Sequence, residues 1–302
     1  MQSTSTIAMV RPAAFGFNEE TAVNNFFQDA SQKNNLSLQQ SALKEFDIMV
    51  TMLQKNNIDV IVLNDTLEPA KPDAVFPNNW FSCRNGEITI FPMFAKNRRQ
   101  ERRTELVEEI KSKTGITKIN DWSCYENDDQ FLEGTGSIVF DHENCMAYAC
   151  ISSRTDENMF VKYAGQMNYK PISFMASDEA GNEIYHTNVL MCIGSGYAII
   201  CTDAIKNETE KEMVTGELKK TGHQVIDISF HQVRNFAGNM LQLLSKDGKQ
   251  YLLMSKTAHN SLLPDQINDL ENFSTLITPD VSVIEKASGG SVRCMVAEIF
   301  KG

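Results

Sequence analysis

The sequence has little basic charge. Its 302 residues include 28 lysines and arginines against 39 aspartates and glutamates, which gives a formal net charge of −11. Proteins that bind nucleic acid or anionic membranes present a basic surface, so this charge disfavours both kinds of partner. The composition, with 42% hydrophobic residues, is that of a globular protein. A small-molecule substrate is the partner that this balance favours.

The sequence also lacks an apolar run long enough to span a membrane. The most apolar stretch, residues 189–201, is interrupted by Gly194-Ser195-Gly196 and is shorter than the roughly 20 residues that a membrane helix needs. The N-terminal segment MQSTSTIAMVRP has no basic start followed by an apolar core, which disfavours a secretory signal. We therefore predict a cytoplasmic protein without a membrane partner, and the sequence leaves open whether it forms a homo-oligomer.

The cysteines lack the spacing of a disulfide framework or a zinc site. There are seven of them, an odd number, and no two form a CxxC pair. Disulfide-rich secreted proteins pair their cysteines in even sets, and zinc sites use closely spaced Cys and His ligands. Most of the cysteines are therefore expected to be thiols, and no metal or other cofactor is implied.

A repeated unit runs through the chain. Pairs of short apolar runs joined by tight turns predict β-hairpins at residues 80–93, 137–150, 189–201 and 240–254. Each hairpin is followed by a helical pattern, at 98–112, 156–166, 207–220 and 264–273. A short extended run comes next, at 116–119, 171–175, 224–229 and 281–284. The predicted unit is therefore a hairpin, a helix and a third strand.

A fifth copy of the unit forms if the two ends of the chain meet. Residues 292–300 and 7–10 would supply its hairpin, followed by helical sequence from 19 to about 54 and a strand at 59–63. Hairpins then begin about 50 to 57 residues apart, within or just beyond the range of propeller repeats. We predict one catalytic domain over residues 1–302, an α/β propeller with five pseudosymmetric ββαβ repeats. The alternative, a two-domain α/β protein, would leave an unpaired sheet edge at each terminus.

Five loops that lead into the hairpins carry unusual polar residues. In a propeller such loops meet at one end of the axis, and function concentrates on loops held by a rigid scaffold. Glu133, His186 and Cys294 lie in three of these loops. A cysteine thiolate is a nucleophile, histidine transfers protons, and a carboxylate holds an amide or amidine nitrogen. These residue types alone have weak specificity, so a structural role for them stays open.

Six segments resemble the superfamily of arginine deiminases, dimethylarginine dimethylaminohydrolases and amidinotransferases, known as penteins or guanidine-modifying enzymes. They are PDAVFPNNW at 72–80, FPMFAKNRRQERR at 91–103, LEGTGS at 132–137, ISSRTDE at 151–157, HTNV at 186–189 and GGSVRCM at 289–295. The resemblance spans nearly the whole chain and is strongest to the citrulline utilisation hydrolases. It implies a five-fold ββαβ propeller and a hydrolase that acts through a covalent cysteine intermediate.

The resemblance also implies a role for each candidate residue. Cys294 would be the nucleophile, His186 the general acid and base, and Glu133 the carboxylate that holds the reacting nitrogen. Arg154 would bind the α-carboxylate of an amino-acid substrate in a bidentate manner, and Asp73 would bind its α-amino group. Further substrate contacts are expected from Asn79 and Asn188, and, because they lie in or beside one of the five loops, from Asn239 and Arg234.

Two positions depart from the members that bind a guanidinium group. Those members usually carry an acidic residue where this chain has Asn79, and another where it has Asn188. An amide offers both a donor and an acceptor, as a neutral ureido group requires. We therefore predict hydrolysis of citrulline to ornithine, carbon dioxide and ammonia. The alternatives are an arginine or methylarginine deiminase, an amidinotransferase, and a non-catalytic binding protein of the same fold.

One basic cluster is expected to have no part in the site. Arginines at positions 98, 99, 102 and 103 alternate with Glu101 and Glu105. This spacing predicts a solvent-exposed helix face with i,i+4 ion pairs. An interface role for the cluster stays open because the resemblance includes this stretch.

Overall fold

The computed structural model describes residues 1–22, 25, 27–31 and 37–300. Within these residues the strands form five sheets of three strands each. In every sheet an antiparallel hairpin is extended by a parallel third strand. A parallel strand needs a crossover connection, which is usually a helix. The predicted fold with five pseudosymmetric ββαβ repeats is confirmed.

The strands are short and numbered here in chain order. They are β1 (Thr6–Arg11), β2 (Asp59–Asn64), β3 (Phe81–Arg84), β4 (Glu87–Ile90), β5 (Lys118–Asp121), β6 (Val139–Asp141), β7 (Met146–Cys150), β8 (Lys170–Phe174), β9 (Met191–Gly194), β10 (Tyr197–Ile200), β11 (Gln224–Asp227), β12 (Leu241–Leu244), β13 (Gln250–Leu253), β14 (Thr275–Ile277) and β15 (Ala297–Glu298). The sheet orders are β15-β1-β2, β3-β4-β5, β6-β7-β8, β9-β10-β11 and β12-β13-β14.

The helices fall into two groups, crossover helices and short turns that precede a hairpin. In chain order they are α1 (Leu38–Lys55), α2 (Thr104–Thr114), α3 (Gly134–Ser137), α4 (Glu157–Gln166), α5 (Thr187–Leu190), α6 (Glu208–Lys220), α7 (Phe230–Arg234), α8 (Lys256–Ser261), α9 (Pro264–Glu271) and α10 (Ser282–Ser288). In the described part of the chain, none of the helices is both long enough and apolar enough to cross a membrane.

The two ends of the chain meet in one sheet, as the fifth repeat required. Ile7 and Ala8 of β1 pair antiparallel with Glu298 and Ala297 of β15. On its other side β1 pairs in parallel with β2 along its whole length. Both edges of β1 are therefore satisfied, which removes the unpaired terminal edge that a two-domain arrangement would have left.

Helix α1 shows how the crossover helices reach the core. Its buried residues are Leu38, Ala42, Phe46, Met49 and Leu53. Their spacing of three and four residues places them on one face of a helix. The same apolar cluster contains Ile7 and Met9 of β1, and it extends to Ile284 of α10 and to Cys294. The packing of α1 thus supports the segment that carries the predicted nucleophile.

Two predicted elements near the site are wrong. In the described part of the helix expected over residues 19 to 54, the α-helix covers Leu38–Lys55; residues 23, 24, 26 and 32–36 lie outside the described part. The strand expected at 281–284 is the start of α10, and β14 at Thr275–Ile277 is the third strand of that repeat. Glu45 accepts hydrogen bonds from the N–H groups of Val283 and Ile284. This tertiary cap overrides the β-propensity of the valine and isoleucine residues.

Two further boundaries differ from the prediction. The helical stretch expected at 98–112 divides into a 3₁₀ turn at Asn97–Glu101 and α2. The strand expected at 292–300 is reduced to β15. The residues before β15 form turns instead, in which the N–H of Cys294 bonds the carbonyl of Ser291. These turns place Cys294 beside its sheet rather than within it.

Candidate active site

Five short segments, each just before the first strand of a hairpin, form the candidate site. They are residues 73–79, 132–137, 186–188, 235–239 and 289–294, and three of them contain a helical turn. Three of them, at 73–79, 186–188 and 289–294, border a cavity with an empty volume of about 290 Å³, including its mouth. The other two contact these three: Glu133 bonds His186, and Asn239 lies against Cys294. Five of the predicted site residues line it directly: Asp73, Asn79, Arg154, His186 and Cys294. The structure therefore brings these residues together.

Helix α10 and its C-terminal turn position Cys294. Gly289 ends the helix in the left-handed conformation, with φ +68°, which glycine adopts without steric cost. Its N–H bonds the carbonyl of Glu285 at 2.8 Å. The hydroxyl of Ser291 then donates to Oε1 of Glu285 at 2.6 Å. Glu285 thus ties the loop that carries Cys294 back to the helix.

Two amide side chains surround the Cys294 sulfur. Nδ2 of Asn239 lies 3.3 Å from Sγ, and Nδ2 of Asn188 lies 3.6 Å from it. Asn239 is held in place because it donates to the carbonyl of Asn188 and accepts from the N–H of Arg293. Oδ1 of Asn188 is buried without a hydrogen-bond partner. The site therefore presents amide donors, and one free amide acceptor, at the predicted nucleophile.

Glu133, His186 and Arg154 form a buried charged group beside the cavity. Nε2 of His186 lies 2.8 Å from Oε2 of Glu133, and Nη1 of Arg154 lies 3.7 Å from the same oxygen. The other carboxylate oxygen accepts the N–H of Phe94 at 2.9 Å. Burial alone would raise the pKa of Glu133, but Arg154 and His186 outweigh it and bring that pKa to about 2.

The histidine of this group is neutral at ordinary pH. Burial lowers the pKa of His186 to about 4, against the opposing effect of Glu133. A neutral imidazole has one N–H and one lone pair. Because Nε2 faces the carboxylate, it carries the hydrogen, and Nδ1 keeps the lone pair that a general base needs. The pair is thus an ionised carboxylate that orients a neutral histidine.

These two pKa shifts predict a loss of stability in acid. The pKa of His186 is about 4 in the folded chain against 6.5 normally, so the unfolded chain binds more protons between these values. The free energy of unfolding should fall as pH drops from about 6.5 to about 4, by up to ~1.4 kcal/mol per pH unit from this residue. Glu133, with a pKa of about 2 against 4.5, adds a further loss between about pH 4.5 and 2.

The check is urea unfolding of wild type, His186→Gln and His231→Gln across this pH range. The His186→Gln variant should show a shallower slope between about pH 4 and 6.5. His231 is exposed, so its variant should follow the wild type. Equal slopes in wild type and His186→Gln would contradict the buried neutral histidine.

The N-terminal segment contributes residues that sequence reasoning missed. Asn18 and Thr21 are buried, and both donate to Oδ2 of Asp73, at 2.7 and 3.2 Å. The carbonyl of Thr21 accepts from Nη2 of Arg154 at 3.3 Å. Oδ1 of Asp73 is buried without a hydrogen-bond partner. The asparagine-rich sequence from 18 to 35 was the available signal, because asparagine disfavours helix interiors.

Arg98 corrects the prediction of a solvent-exposed basic face. Its side chain is 3% exposed and forms a bidentate pair with Glu101 at 2.8 Å on both sides. Nη1 of Arg98 also donates to Oδ1 of Asn79 at 2.8 Å. The arginine turned inward because the chain forms a 3₁₀ turn here instead of a continuous helix. It lines the cavity and fixes the orientation of Asn79.

Gly136 leaves space for the side-chain amide of Asn79. A Cβ at Gly136 would lie 2.3 Å from Nδ2 of Asn79 and 2.9 Å from the His186 ring. Both distances are shorter than real side chains tolerate, so only glycine fits between them. The LEGTGS segment thus supplies Glu133 and, three residues later, the space in which an amide and an imidazole approach each other.

The structure does not bring Arg234 to the cavity. It is the last residue of α7, its side chain is 58% exposed, and it pairs with Glu179 on the surface. The residue of this loop that reaches the site is Asn239, through Asn188 and Cys294. The structure thus places Arg234 outside the group of predicted site residues that line the cavity. Among the described residues no group of three or more His, Cys, Asp or Glu side chains is placed to hold a metal ion.

Comparisons with known proteins agree with the fold. The family described as "N,N dimethylarginine dimethylhydrolase, eukaryotic" matches residues 11–301. No curated protein sequence matches the chain.

Solved structures of two enzymes resemble the chain. ArgZ, an arginine dihydrolase from the ornithine-ammonia cycle in cyanobacteria, is 16% identical with a TM-score of 0.77, over 98% of this chain and 41% of that one. The N-terminal domain of ArgZ bound to substrate matches over 98% of both chains, with 16% identity and a TM-score of 0.76. A dimethylarginine dimethylaminohydrolase in adduct with S-methyl-L-thiocitrulline is 15% identical over 99% of this chain and 100% of that one, with a TM-score of 0.67. At these identities the likeness shows the fold.

Proposed function

Because the chain belongs to the N,N-dimethylarginine dimethylhydrolase family, whose enzymes hydrolyse C–N bonds, we propose that it hydrolyses the ureido group of citrulline through Cys294. The chain has the pentein fold and is related to enzymes of arginine chemistry. The choice of citrulline, the roles of individual residues and the single catalytic domain over residues 1–302 are part of the proposal. Cytoplasmic location stays a prediction.

The orientation of Asn79 is the observation that carries the proposal. Arg98 has donors only, so Oδ1 of Asn79 must face it, as the 2.8 Å contact requires. Nδ2 of Asn79 is then the atom left over, and it is buried without a hydrogen-bond partner. It needs an acceptor. A guanidinium group has N–H donors alone, whereas a ureido group has a carbonyl oxygen that can accept this hydrogen bond.

The surroundings of Cys294 support the same choice. Asn188 and Asn239 place neutral amides within 3.6 Å of the sulfur. No carboxylate forms a hydrogen bond to Sγ among the described residues. A charged hydrogen bond is worth roughly 1.5–3 kcal/mol against about 1 kcal/mol for a neutral one. A cation at this point therefore lacks the carboxylate contacts that would stabilise it most.

The α-carboxylate and the α-ammonium group of an amino-acid substrate would each contact a side chain of opposite charge. Arg154 lines the cavity and offers a guanidinium to the α-carboxylate, where the Thr21 carbonyl now lies. Asp73 offers its unpartnered Oδ1 to the α-ammonium group. Opposite charges at one end and neutral amides at the other match a zwitterion with a neutral tail.

The reaction then proceeds in two steps. Cys294 Sγ bonds to the ureido carbon, and the terminal C–N bond breaks with release of ammonia, which takes its proton by way of His186. This leaves a thiocarbamate, in which the ornithine δ-nitrogen and the sulfur share the carbonyl. Nδ1 of His186 next takes a proton from water, and the hydroxide displaces the sulfur. The product carbamate loses carbon dioxide and yields ornithine.

The same chemistry on arginine or a methylated arginine is the second candidate. The family match favours it. So does the unpartnered oxygen of Asp73 together with the ionised Glu133, because a guanidinium is attracted to carboxylates. Attack on a guanidinium carbon with loss of an amine leads to citrulline, which the first reaction would convert to ornithine.

Product analysis separates the candidates. The purified chain is supplied with citrulline, arginine or dimethylarginine, and ornithine, citrulline, ammonia and methylamines are quantified. Citrulline hydrolysis with a higher kcat/KM than arginine is the expected outcome. Arginine turnover that stops at citrulline, without ornithine, would reject the ureido assignment and favour a deiminase.

Asn79→Asp should reverse part of this selectivity. Aspartate keeps the acceptor for Arg98 but removes the N–H that faces the ureido oxygen, and it adds charge. The kcat/KM for citrulline should fall about 10- to 100-fold, from the loss of one buried hydrogen bond plus an acceptor–acceptor contact. The ratio of arginine to citrulline turnover should rise.

Asn120→Asp is the matched control for this variant. Oδ1 of Asn120 accepts from the ring N–H of Trp122, and its Nδ2 is buried without a partner. Asn120 therefore shares the hydrogen-bond pattern of Asn79, with its oxygen bonded and its Nδ2 unpartnered, but lies on β5, outside the cavity lining. Its kinetics should equal those of wild type. A loss of citrulline turnover of the same size in both variants would contradict a specific contact by Asn79.

A further inference from the structure

A second pocket lies along the first hairpin, between Thr135, next to the candidate site, and Arg84 at the hairpin turn. Strand β3 begins two residues after Asn79 and ends at Arg84, beside the hairpin turn. At about 3.3 Å per residue, these four residues carry the chain roughly 13 Å away from the site. The pocket has an empty volume of about 350 Å³. We call it the Arg84 pocket, after Arg84, Phe140, His142, Tyr163, Glu298 and Phe300, which line it.

Arg84 has unused hydrogen-bond donors in this pocket. Nε and Nη1 are buried, and neither has a hydrogen-bond partner. The Phe300 and Tyr169 rings lie over its Cζ, at 4.6 and 5.4 Å. Stacked rings stabilise the cation, but they leave its edge N–H groups unpaired. A buried charged donor without an acceptor is costly, so the geometry calls for an acceptor from outside the chain.

The nearby ionisable groups do not supply that acceptor. Oε2 of Glu298 accepts from Nη2 of Arg293 at 3.0 Å and is shared with that second arginine. His142 is held neutral because burial, and then Arg84 and Arg293, lower its pKa well below the usual value. Its Nδ1 pairs with the hydroxyl of Tyr169 at 2.8 Å. Glu87, opposite Arg84 on β4, pairs with Lys118 instead. The carboxylates near Arg84 are thus engaged by other cations.

We propose that the Arg84 pocket binds a small organic carboxylate with an apolar body. A carboxylate oxygen accepts the edge N–H groups of a guanidinium with the strength of a charge-assisted bond. The aromatic walls formed by Phe140, Tyr163 and Phe300 suit an apolar or aromatic body rather than a hydrated inorganic ion. Both features select this class of ligand over phosphate.

The pocket is connected to the candidate site by an unbroken series of contacts. Glu298 pairs with Arg293, whose backbone N–H donates to Oδ1 of Asn239 at 3.1 Å. Nδ2 of Asn239 in turn contacts Cys294 Sγ at 3.3 Å. Glu298 is attracted by both Arg84 and Arg293. A carboxylate bound to Arg84 would neutralise the first of these charges and so change the ion pair between Glu298 and Arg293. The ligand is therefore expected to change the turnover of citrulline, a consequence that rests on the proposed function.

The test uses phenylacetate as the probe, with phenylacetamide and inorganic phosphate as comparisons. Calorimetry on the whole chain gives the affinities for wild type, Arg84→Met and Arg234→Met. Methionine keeps the apolar stem against the rings but removes the donors. Arg234 is exposed and does not line the pocket, so its variant controls for loss of one positive charge. Citrulline kinetics at several phenylacetate concentrations complete the experiment.

Phenylacetate should bind wild type and Arg234→Met equally, and Arg84→Met at least about tenfold more weakly. Phenylacetamide should bind no better than phenylacetate binds Arg84→Met. The effect on turnover should persist at saturating citrulline and vanish in Arg84→Met. Equal binding by Arg84→Met, tighter binding of phosphate, or simple competition with citrulline would each overturn the proposal. If citrulline is not a substrate, the calorimetry still decides whether the pocket binds a carboxylate.

Discussion

Replacement of Cys294 by alanine is expected to lower citrulline hydrolysis by about 10⁴-fold or more. The reaction proposed above begins with a bond between Sγ and the ureido carbon, and alanine offers no atom for that bond. The amides of Asn188 and Asn239 lose only weak contacts to sulfur, at 3.6 and 3.3 Å. The fold should therefore persist, which circular dichroism and urea unfolding will check alongside the assay for ornithine.

Cys192→Ala is the matched control for the loss of a buried thiol. Cys192 is 5% exposed and Cys294 is 7% exposed, so the two substitutions remove the same group at similar burial. Burial raises the pKa of Cys192 to about 12, which keeps it protonated and unreactive. The control should retain turnover near the wild-type value. Residual citrulline hydrolysis in Cys294→Ala within tenfold of wild type would exclude covalent catalysis by this residue.

Glu133→Gln should lower kcat/KM by about 10³-fold and destabilise the fold by about 3 kcal/mol. Glutamine has nearly the same shape, but its amide places a donor where His186 Nε2 now donates. The histidine would have to move its hydrogen to Nδ1 and so lose the lone pair that activates water. Arg154, 3.7 Å from Glu133, would also become a buried cation without its carboxylate.

Glu126→Gln separates the chemical effect from the structural one. Glu126 accepts the N–H of Met93 at 2.7 Å and pairs with Arg102. Glu133 accepts from the next residue, Phe94, and faces Arg154, but it alone has a histidine partner. The control should lose stability with little loss of kcat/KM. If both variants lose activity in proportion to stability, Glu133 is a structural residue only.

The repeats were predictable because their signals are local. Turns such as Arg84-Asn85-Gly86 and Gly194-Ser195-Gly196 specify hairpins through residues that accept positive φ, and apolar runs beside them set the strands. The meeting of the chain ends followed from the same repeat, since Ile7–Val10 lacked a partner elsewhere. The short segments before the hairpins were expected to meet at one end of the fold, whereas the roles of the candidate residues on them, and the choice of Arg154, followed from the family resemblance.

The remaining features depend on tertiary contacts that local sequence does not contain. Residues 281–284 have β-propensity, yet Glu45, more than 200 positions earlier, caps them as a helix. Arg98 resembles its charged neighbours in sequence and differs only in being buried against Glu101 and Asn79. Arg234 lies next to a site loop in sequence but at the exposed end of α7. In each case the contact made by one side chain, that of Glu45, Arg98 or Arg234, explains why the structure differs from the prediction.

The most direct test of the account is to trap the covalent intermediate. Wild type, Cys294→Ala and His186→Gln are mixed with citrulline carrying ¹³C in the ureido group, quenched in acid and analysed by intact-mass and peptide mass spectrometry. We expect a ¹³C-labelled adduct equal in mass to citrulline minus ammonia, on the peptide that contains Cys294, in wild type quenched during turnover, and none in Cys294→Ala. Less adduct is expected in His186→Gln, because the release of ammonia also proceeds by way of His186. Label released as carbon dioxide by wild type, with ornithine in equal amount, completes the prediction. An adduct that forms only from arginine, or labelled turnover that persists in Cys294→Ala, would contradict the account.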